Sequence, residues 1–254
     1  LRLPDFIIGG APRSGTTWLS ELLDRHPDVY IAKPLKPEPK FFLRDDLYAK
    51  GLSHYSQAWF AGVGDDQVAG EKSTDYLESA PAAERIARDL PRVKLVFILR
   101  EPVGRAYSNY LWTKMNGLET ESFAAAIRLE EQRERELPER LRFTRPYSYF
   151  SRGLYADLLA PYFERFPRAQ LLVARYEDIK ERPAALAESL HRFLGVTPRP
   201  GDSQGLGVIN PSARDAAGSG EDIEHVRREL AARYIESNKR LAALLGPSFP
   251  MWAR

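Results

Sequence analysis

Two short segments hold side chains whose type and spacing suit chemistry. The first is Gly9-Gly-Ala-Pro-Arg-Ser-Gly-Thr-Thr-Trp18, which joins an apolar run to an amphipathic one. A glycine-bearing loop that opens a helix gathers several backbone N–H groups and the positive end of the helix dipole, and so favours an anion. Ser14, Thr16 and Thr17 add hydroxyl donors, and Arg13 adds a permanent positive charge. The second segment is Arg100-Glu-Pro-Val-Gly-Arg-Ala-Tyr-Ser-Asn-Tyr110. Arg100 stands where an apolar strand ends, and Ser108 lies about two turns into the helix that follows. A guanidinium fork with a hydroxyl suits a terminal phosphate. A tight turn in the first case and an Arg100–Glu101 ion pair in the second are the purely structural alternatives.

The kind of anion follows from what is missing. Gly10 and Gly15 keep the spacing of a triphosphate-binding loop, but Thr16 occupies the position of its lysine. The later strand ends in Arg100, where the Mg²⁺-holding aspartate of such a site is expected. Both departures argue for two separate phosphate contacts without a triphosphate–Mg²⁺ unit. A P-loop nucleotide or small-molecule kinase is the enzyme alternative, and both departures count against it.

The elements that must position these segments read as an α/β protein, a P-loop-like parallel sheet flanked by helices. Strands are expected at Asp5–Gly10, Val29–Ala32, Val68–Glu71, Val93–Leu99 and Gln170–Tyr176. The fourth is a nearly continuous apolar run, as in a strand buried on both faces. Helices are expected at 16–24, 81–90, 102–115, 123–136, 153–166, 183–194 and 221–245. The span 119–142 mixes both charges and reads as a solvated helix with i,i+4 pairs. Beyond Pro138 the balance turns basic through Arg140, Arg142, Arg145 and Arg152, a possible edge of an acidic-ligand cleft. The Gly/Ser/Ala-rich segment 201–220 reads as a mobile loop able to act as a lid.

Composition bounds the rest. With 254 residues, 43% hydrophobic and 11% aromatic, the chain can bury a substantial core, and a single domain over 1–254 is expected. The absence of cysteine excludes disulfides, thiolate metal sites and a cysteine nucleophile. A net charge of +2 gives no global field for nucleic acid or an anionic membrane, so neither is expected as a partner. No run suits a membrane span and the start is not a signal peptide, which suggests a cytoplasmic location. The first residue is Leu, which leaves room for an upstream segment.

The two segments resemble the 5′-phosphosulfate loop and the 3′-phosphate motif of sulfotransferases that use PAPS (3′-phosphoadenosine-5′-phosphosulfate). The finer likeness is to the heparan sulfate sulfotransferases and their bacterial relatives. Glu38-Pro-Lys-Phe-Phe42, Gly70-Glu-Lys-Ser73, Arg152-Gly-Leu-Tyr155, Arg175-Tyr-Glu-Asp178, Asn238 and Leu244-Leu-Gly246 match in order, so the likeness covers roughly 5–246.

The resemblance implies roles. Arg13 takes the place of a lysine at the sulfate-bearing end, where its role is electrostatic. Ser14, Gly15, Thr16, Thr17 and Trp18 would cradle the 5′-phosphate, and Arg100 and Ser108 would hold the 3′-phosphate. Glu38 matches the general base on the acceptor hydroxyl, and Lys72 matches a lysine that balances charge at the reacting sulfuryl group. Lys36, Lys40, Arg145, Tyr149 and Arg152 are the substrate-side candidates, and Asn210 and Arg214 the further nucleotide contacts. Direct sulfuryl transfer needs a base, cations and in-line positioning but no metal, in agreement with these residues.

The departures are a Lys36-Pro37-Glu38 order where relatives often have Lys directly before Glu, and Lys40 where they often have His. The disulfide-bearing loop of the animal enzymes also has no counterpart. The four histidines, His26, His54, His191 and His225, read as structural or exposed. The implied acceptor is a hydroxyl on a carbohydrate or small natural product, or on a carrier-protein-bound group, with a short acceptor favoured. A non-catalytic nucleotide- or glycan-binding module is the remaining alternative, disfavoured because mere binding needs no base such as Glu38.

Overall fold

The computed structural model describes residues 1–142, 144–207 and 221–252. The chain divides into two compact units, Leu1–Leu99 with Ala160–Ile209 and Arg100–Leu159 with Asn210–Arg254.

The first unit is built on a five-stranded parallel sheet. Its strands are β1 (Phe6–Gly10), β2 (Val29–Ile31), β3 (Val68–Lys72), β4 (Lys94–Leu99) and β5 (Leu171–Arg175), in the order β2-β3-β1-β4-β5. All five expected strands are present within a residue or two. β1 is buried at every position and β4 at all but its first, because helices cover both faces of a parallel sheet. On one face Phe6, Ile8, Val96 and Ile98 pack against Trp18, Leu19, Leu22 and Leu23 of α1 (Thr16–Asp24), together with Leu186, Leu190 and Leu194. On the other, the Phe97 ring meets Tyr162 at 4.9 Å between centroids.

Gly70 of β3 lies beside Phe6 of β1, and a side chain there would enter the space of the Phe6 ring. Glycine at this position lets the two central strands keep their register, which places Ile8 opposite Lys72.

The remaining helices of this unit are α2 (Asp45–Tyr48), α3 (Gly51–Phe60), α4 (Ala80–Asp89), α8 (Asp178–Glu181) and α9 (Pro183–Leu194). α3 was not expected from the sequence. It opens on a glycine and is interrupted by Ser and Gln, yet it buries Tyr55, Ser56 and Phe60 on one face. Two of the histidines are structural, as expected. His26 Nδ1 accepts the Asp28 N–H at 3.1 Å and its Nε2 meets the Thr197 carbonyl at 2.8 Å, while His191 Nδ1 accepts the Arg199 N–H at 3.1 Å. His54 and His225 are exposed.

The second unit contains α5 (Pro102–Met115), α6 (Phe123–Arg135) and α10 (Glu221–Leu245). α7 (Tyr155–Arg165) runs through the division between the units. The core of the second unit joins Val103, Ala106, Tyr110 and Leu111 of α5, Phe123 and Ala126 of α6, and Val226, Leu230 and Tyr234 of α10, around Tyr149.

The charged span 119–142 is less solvated than its composition suggested. Glu131 and Arg135 form the expected exposed i,i+4 pair. Glu119 and Glu130, however, are buried. Glu119 accepts from Tyr149 and Arg133, and Glu130 accepts the N–H groups of Phe150 and Ser151. These carboxylates anchor the 144–152 segment, so the mixed-charge pattern encodes long-range ties as well as surface pairs.

Gly70→Ala should destabilise the protein by about 1–3 kcal/mol, the usual scale of overpacking. Chemical denaturation of the variant and the parent measures it.

Candidate active site

β1 delivers the first segment. After Gly10 the chain turns through Arg13, whose φ is 65°, and Gly15, whose φ is 93°, and then enters α1. Gly15 is the N-cap residue and offers no side-chain cap; the first turn of α1 holds no acidic residue. The helix N-terminus therefore keeps its positive end uncompensated by its own side chains. A Cβ at position 15 would lie 2.5 Å from Ile179 Cδ1 and 3.0 Å from Tyr176 Cδ2, so both the left-handed conformation and the packing behind the loop require glycine. Ser14 and Thr16 are buried and Thr17 is partly exposed. The Ser14 hydroxyl lies 3.5 Å from the Pro12 carbonyl; an open helix start with hydroxyl residues around it could hold a phosphate or phosphosulfate end.

Trp18, a nucleotide-contact candidate whose residue type favours the core, is a core residue. Its side chain is 2% exposed, packs in the core and donates from Nε1 to the Leu206 carbonyl at 3.5 Å. Only its backbone N–H remains at the helix start.

β3 delivers Lys72, whose side chain is 4% exposed. Its Nζ lies 2.9 Å from Glu38 Oε1. Glu38 Oε2 accepts the Thr74 N–H at 3.0 Å and the Thr74 hydroxyl at 3.2 Å. Residues 34 positions apart in sequence are thus brought into one pair, a carboxylate with a nearly buried cation beside it. Lys40, two residues on, forms an ion pair with Asp75, whereas Lys36 is exposed.

Behind this pair lies a cluster that sequence reasoning missed. Glu71 is fully buried and accepts from three hydroxyls, those of Tyr55, Tyr76 and Ser73. Burial pushes its carboxyl up to about 7, against the opposing effect of the three donors, and the Glu38 carboxylate adds to the rise. Burial and the Glu71 charge likewise push the Tyr55 and Tyr76 phenols up. Glu71 and Ser73 stood in one recognised motif, but Tyr55 comes from α3 and Tyr76 from the 74–78 turn, and no local spacing announces those two.

In the second unit Arg100 directly follows β4, and α5 begins two residues later. Glu101 caps α5 by accepting the Val103 and Gly104 N–H groups at 2.9 and 2.6 Å. A Cβ on Gly104 would lie 3.5 Å from Arg100 Nε, so the guanidinium folds over the first turn of the helix. Ser108 is one turn further on the same face. The Arg100 carbonyl accepts from the Tyr155 hydroxyl at 2.9 Å.

The substrate-side candidates of this unit are mostly turned inward. Tyr149 is fully buried, with its hydroxyl bound to Glu119 at 2.7 Å and Thr113 at 2.9 Å, and burial pushes its phenol far up. It offers no surface to a substrate, and the expectation that it lines a cleft is corrected. Arg152 is 4% exposed and donates to the Thr144 carbonyl at 2.8 Å. Arg145 pairs with Glu134 at 2.9 Å. The basic stretch therefore serves internal ties at two of its four arginines; Arg142 is exposed. Asn210 and Arg214 lie outside the described residues, as does most of the expected loop 201–220.

Comparisons with known proteins converge. The family model described as a sulfotransferase domain matches residues 3–206. The chain is 33% identical over 195 residues to the mouse heparan sulfate glucosamine 3-O-sulfotransferase 3A1, covering 77% of this chain and 46% of that protein. It is 30% identical over 203 residues to the human bifunctional heparan sulfate N-deacetylase/N-sulfotransferase 2, covering 78% of this chain and 22% of that protein. The chain thus spans less than half the length of these relatives. Among solved structures, a sulfotransferase from Alicyclobacillus acidocaldarius superposes with a TM-score of 0.77 at 28% identity, covering 96% of each chain. Mouse sulfotransferase SULT7A1 complexed with PAP shares the fold at a TM-score of 0.56 and 17% identity, covering 97% of this chain and 85% of that one.

Because burial holds Glu71 above its ordinary range, its contribution to stability is full near and below pH 4.5 and is lost as pH rises through about 7. The stability of the protein relative to a Glu71→Gln variant should therefore decline between about pH 5 and 8, as read from urea denaturation across that range.

Proposed function

This chain belongs to the sulfotransferase domain family, and we propose that it transfers the sulfuryl group of PAPS directly to an acceptor hydroxyl, acting over 1–254 as one catalytic domain. The observation that carries this reading is the Glu38–Lys72 pair at 2.9 Å, held at the carboxyl end of a strand that neighbours the anion loop. A phosphate-binding loop alone would serve a kinase or a binding module equally well. A carboxylate held beside a buried lysine gives the site a base as well as an anion cradle.

PAPS would supply the sulfuryl group and a good leaving group. Arg13, Ser14, Gly15, Thr16 and Thr17 would hold its 5′ end, and Arg100 and Ser108 its 3′-phosphate. Glu38 would take the proton from the acceptor hydroxyl as that oxygen bonds to sulfur. The bond between sulfur and the bridging oxygen breaks, and its electron pair leaves on adenosine 3′,5′-bisphosphate (PAP). Lys72 and Arg13 would offset the charge that develops on the transferring group and the leaving oxygen. In the resting pair Lys72 and Thr74 hold Glu38, so an arriving hydroxyl takes over part of that hydrogen bonding.

For the acceptor we favour a carbohydrate or a small hydroxyl compound over a long polyanion. The two named relatives act, by their names, on heparan sulfate, which supports a carbohydrate but not a short one. The preference for a short acceptor rests on the inward commitment of Arg145 and Arg152, which takes two of the four arginines of the basic stretch.

Calorimetric titration should show binding of PAP and weak or no binding of ATP with Mg²⁺; the reverse pattern would overturn the reading in favour of a kinase. Glu38→Gln should retain PAP binding while turnover falls by about 10²-fold or more, the scale of general-base loss. An unchanged rate would remove Glu38 from that role. Arg100→Ala should weaken PAP binding by about 2–3 kcal/mol, as expected for a charged hydrogen bond to phosphate.

A further inference from the structure

Glu71 precedes Lys72 in β3, and alternation along a strand sends their side chains to opposite faces. Lys72 meets Glu38, whereas Glu71 is enclosed by protein and is fully buried. Its Oε1 accepts from the Tyr55 hydroxyl at 2.6 Å and the Tyr76 hydroxyl at 3.0 Å, and its Oε2 accepts from Ser73 Oγ at 2.7 Å. Two of these three hydroxyls also touch the Glu38 loop. Ser73 Oγ accepts the Lys40 N–H at 2.9 Å, and the Tyr76 oxygen accepts the Phe42 N–H at 3.2 Å.

Each hydroxyl has one hydrogen to give and lone pairs to receive. An ionised carboxylate can only accept, so it claims the hydrogens of Ser73 and Tyr76 and turns their lone pairs towards the loop N–H groups. Two hydrogen-bond relays thus run from one buried carboxylate to the backbone two and four residues beyond Glu38. Tyr55 differs in kind. Its hydroxyl makes the shortest of the three bonds to Glu71, at 2.6 Å, but its tie to the loop is the ring, stacked on Phe41 at 4.4 Å.

We propose that Glu71 is a positioning residue, which fixes the 38–42 loop, and with it the Glu38 carboxylate, by setting the direction of the hydrogen bonds through Ser73 and Tyr76. The charged groups around the cluster are Lys72 and Glu38 on one side and the Lys40–Asp75 pair on the other. None of them hydrogen-bonds Glu71 directly among the described contacts, so the three hydroxyls carry the link. Glu71 does not touch the reacting atoms in this scheme. The inference rests on the reading of Glu38 as acceptor base, yet its test does not depend on turnover.

Amide hydrogen exchange of the whole chain at about pH 8 separates this role from general packing. Ser73→Ala should speed exchange at Lys40 by about tenfold or more while leaving Phe42 close to the parent, and Tyr76→Phe should do the opposite. Tyr55→Phe, which keeps the stacked ring, should leave both amides within about twofold of the parent. Glu71→Gln should speed both. Equal acceleration of the two amides in all variants would reduce the cluster to ordinary packing and overturn the proposal, as would unchanged exchange in Ser73→Ala and Tyr76→Phe. If Glu71→Gln does not fold, the other three variants decide the matter alone. A PAP titration of the parent protein runs alongside. Its failure would count against the sulfotransferase reading, whereas failure of the exchange pattern would count only against Glu71.

Discussion

A parallel sheet delivers the carboxyl ends of all its strands to one edge, and that constraint organises the candidate chemistry of this protein. β1 ends in the glycine-bearing loop and β3 ends in Lys72. The two are far apart in sequence. The strand order places β1 centrally, with β3 on one side and β4 on the other, so the chain reverses its direction of winding about the strand that carries the loop. Pairing Ile8 with Lys72 fixes how far the lysine projects relative to the loop. A slip of one residue would exchange the faces of Glu71 and Lys72, and both the ion pair and the buried cluster would be lost.

Electrostatic design in the first unit depends on where charge is left for use and where it is tied down. Lys72 and Glu38 neutralise each other in a nearly buried setting, which avoids stranding either charge without a partner. Lys40 is paired with Asp75 close by. The second unit follows the same economy with Glu119–Arg133 and Glu134–Arg145. The near-zero net charge of the chain, 37 basic against 35 acidic residues, permits such local pairing, and the helix N-terminus at Gly15 supplies positive potential without adding a formal charge.

Much of this was legible in the sequence for physical reasons. β4 announced itself through an unbroken apolar run, and α5 through Pro102 at its start and the capping Glu101. The turn at Gly15 between β1 and α1 read directly, because that geometry is local. α3 was hidden because its apolar face is broken by polar residues, and it still packs through Tyr55 and Phe60. Glu71 was hidden because Tyr55 comes from a separate helix and the 3₁₀ turn after β3 brings Ser73 and Tyr76 back onto the carboxylate. Arg145, Arg152 and Tyr149 looked like surface chemistry by composition. Their actual partners are the carboxylates and carbonyls of neighbouring elements, which composition cannot reveal.

The packing behind Gly15 has one more consequence. Ile179 and Tyr176 stand directly against the turn, at a distance that excludes even a methyl group, so the loop is braced by the β5–α8 corner before any ligand arrives. Preorganisation of this kind removes the ordering entropy that a flexible loop would lose on closing around an anion. The shape of the proposed phosphate cradle is then an inherited property of the folded unit: a peptide carrying the same ten residues would have the donors but not the shape.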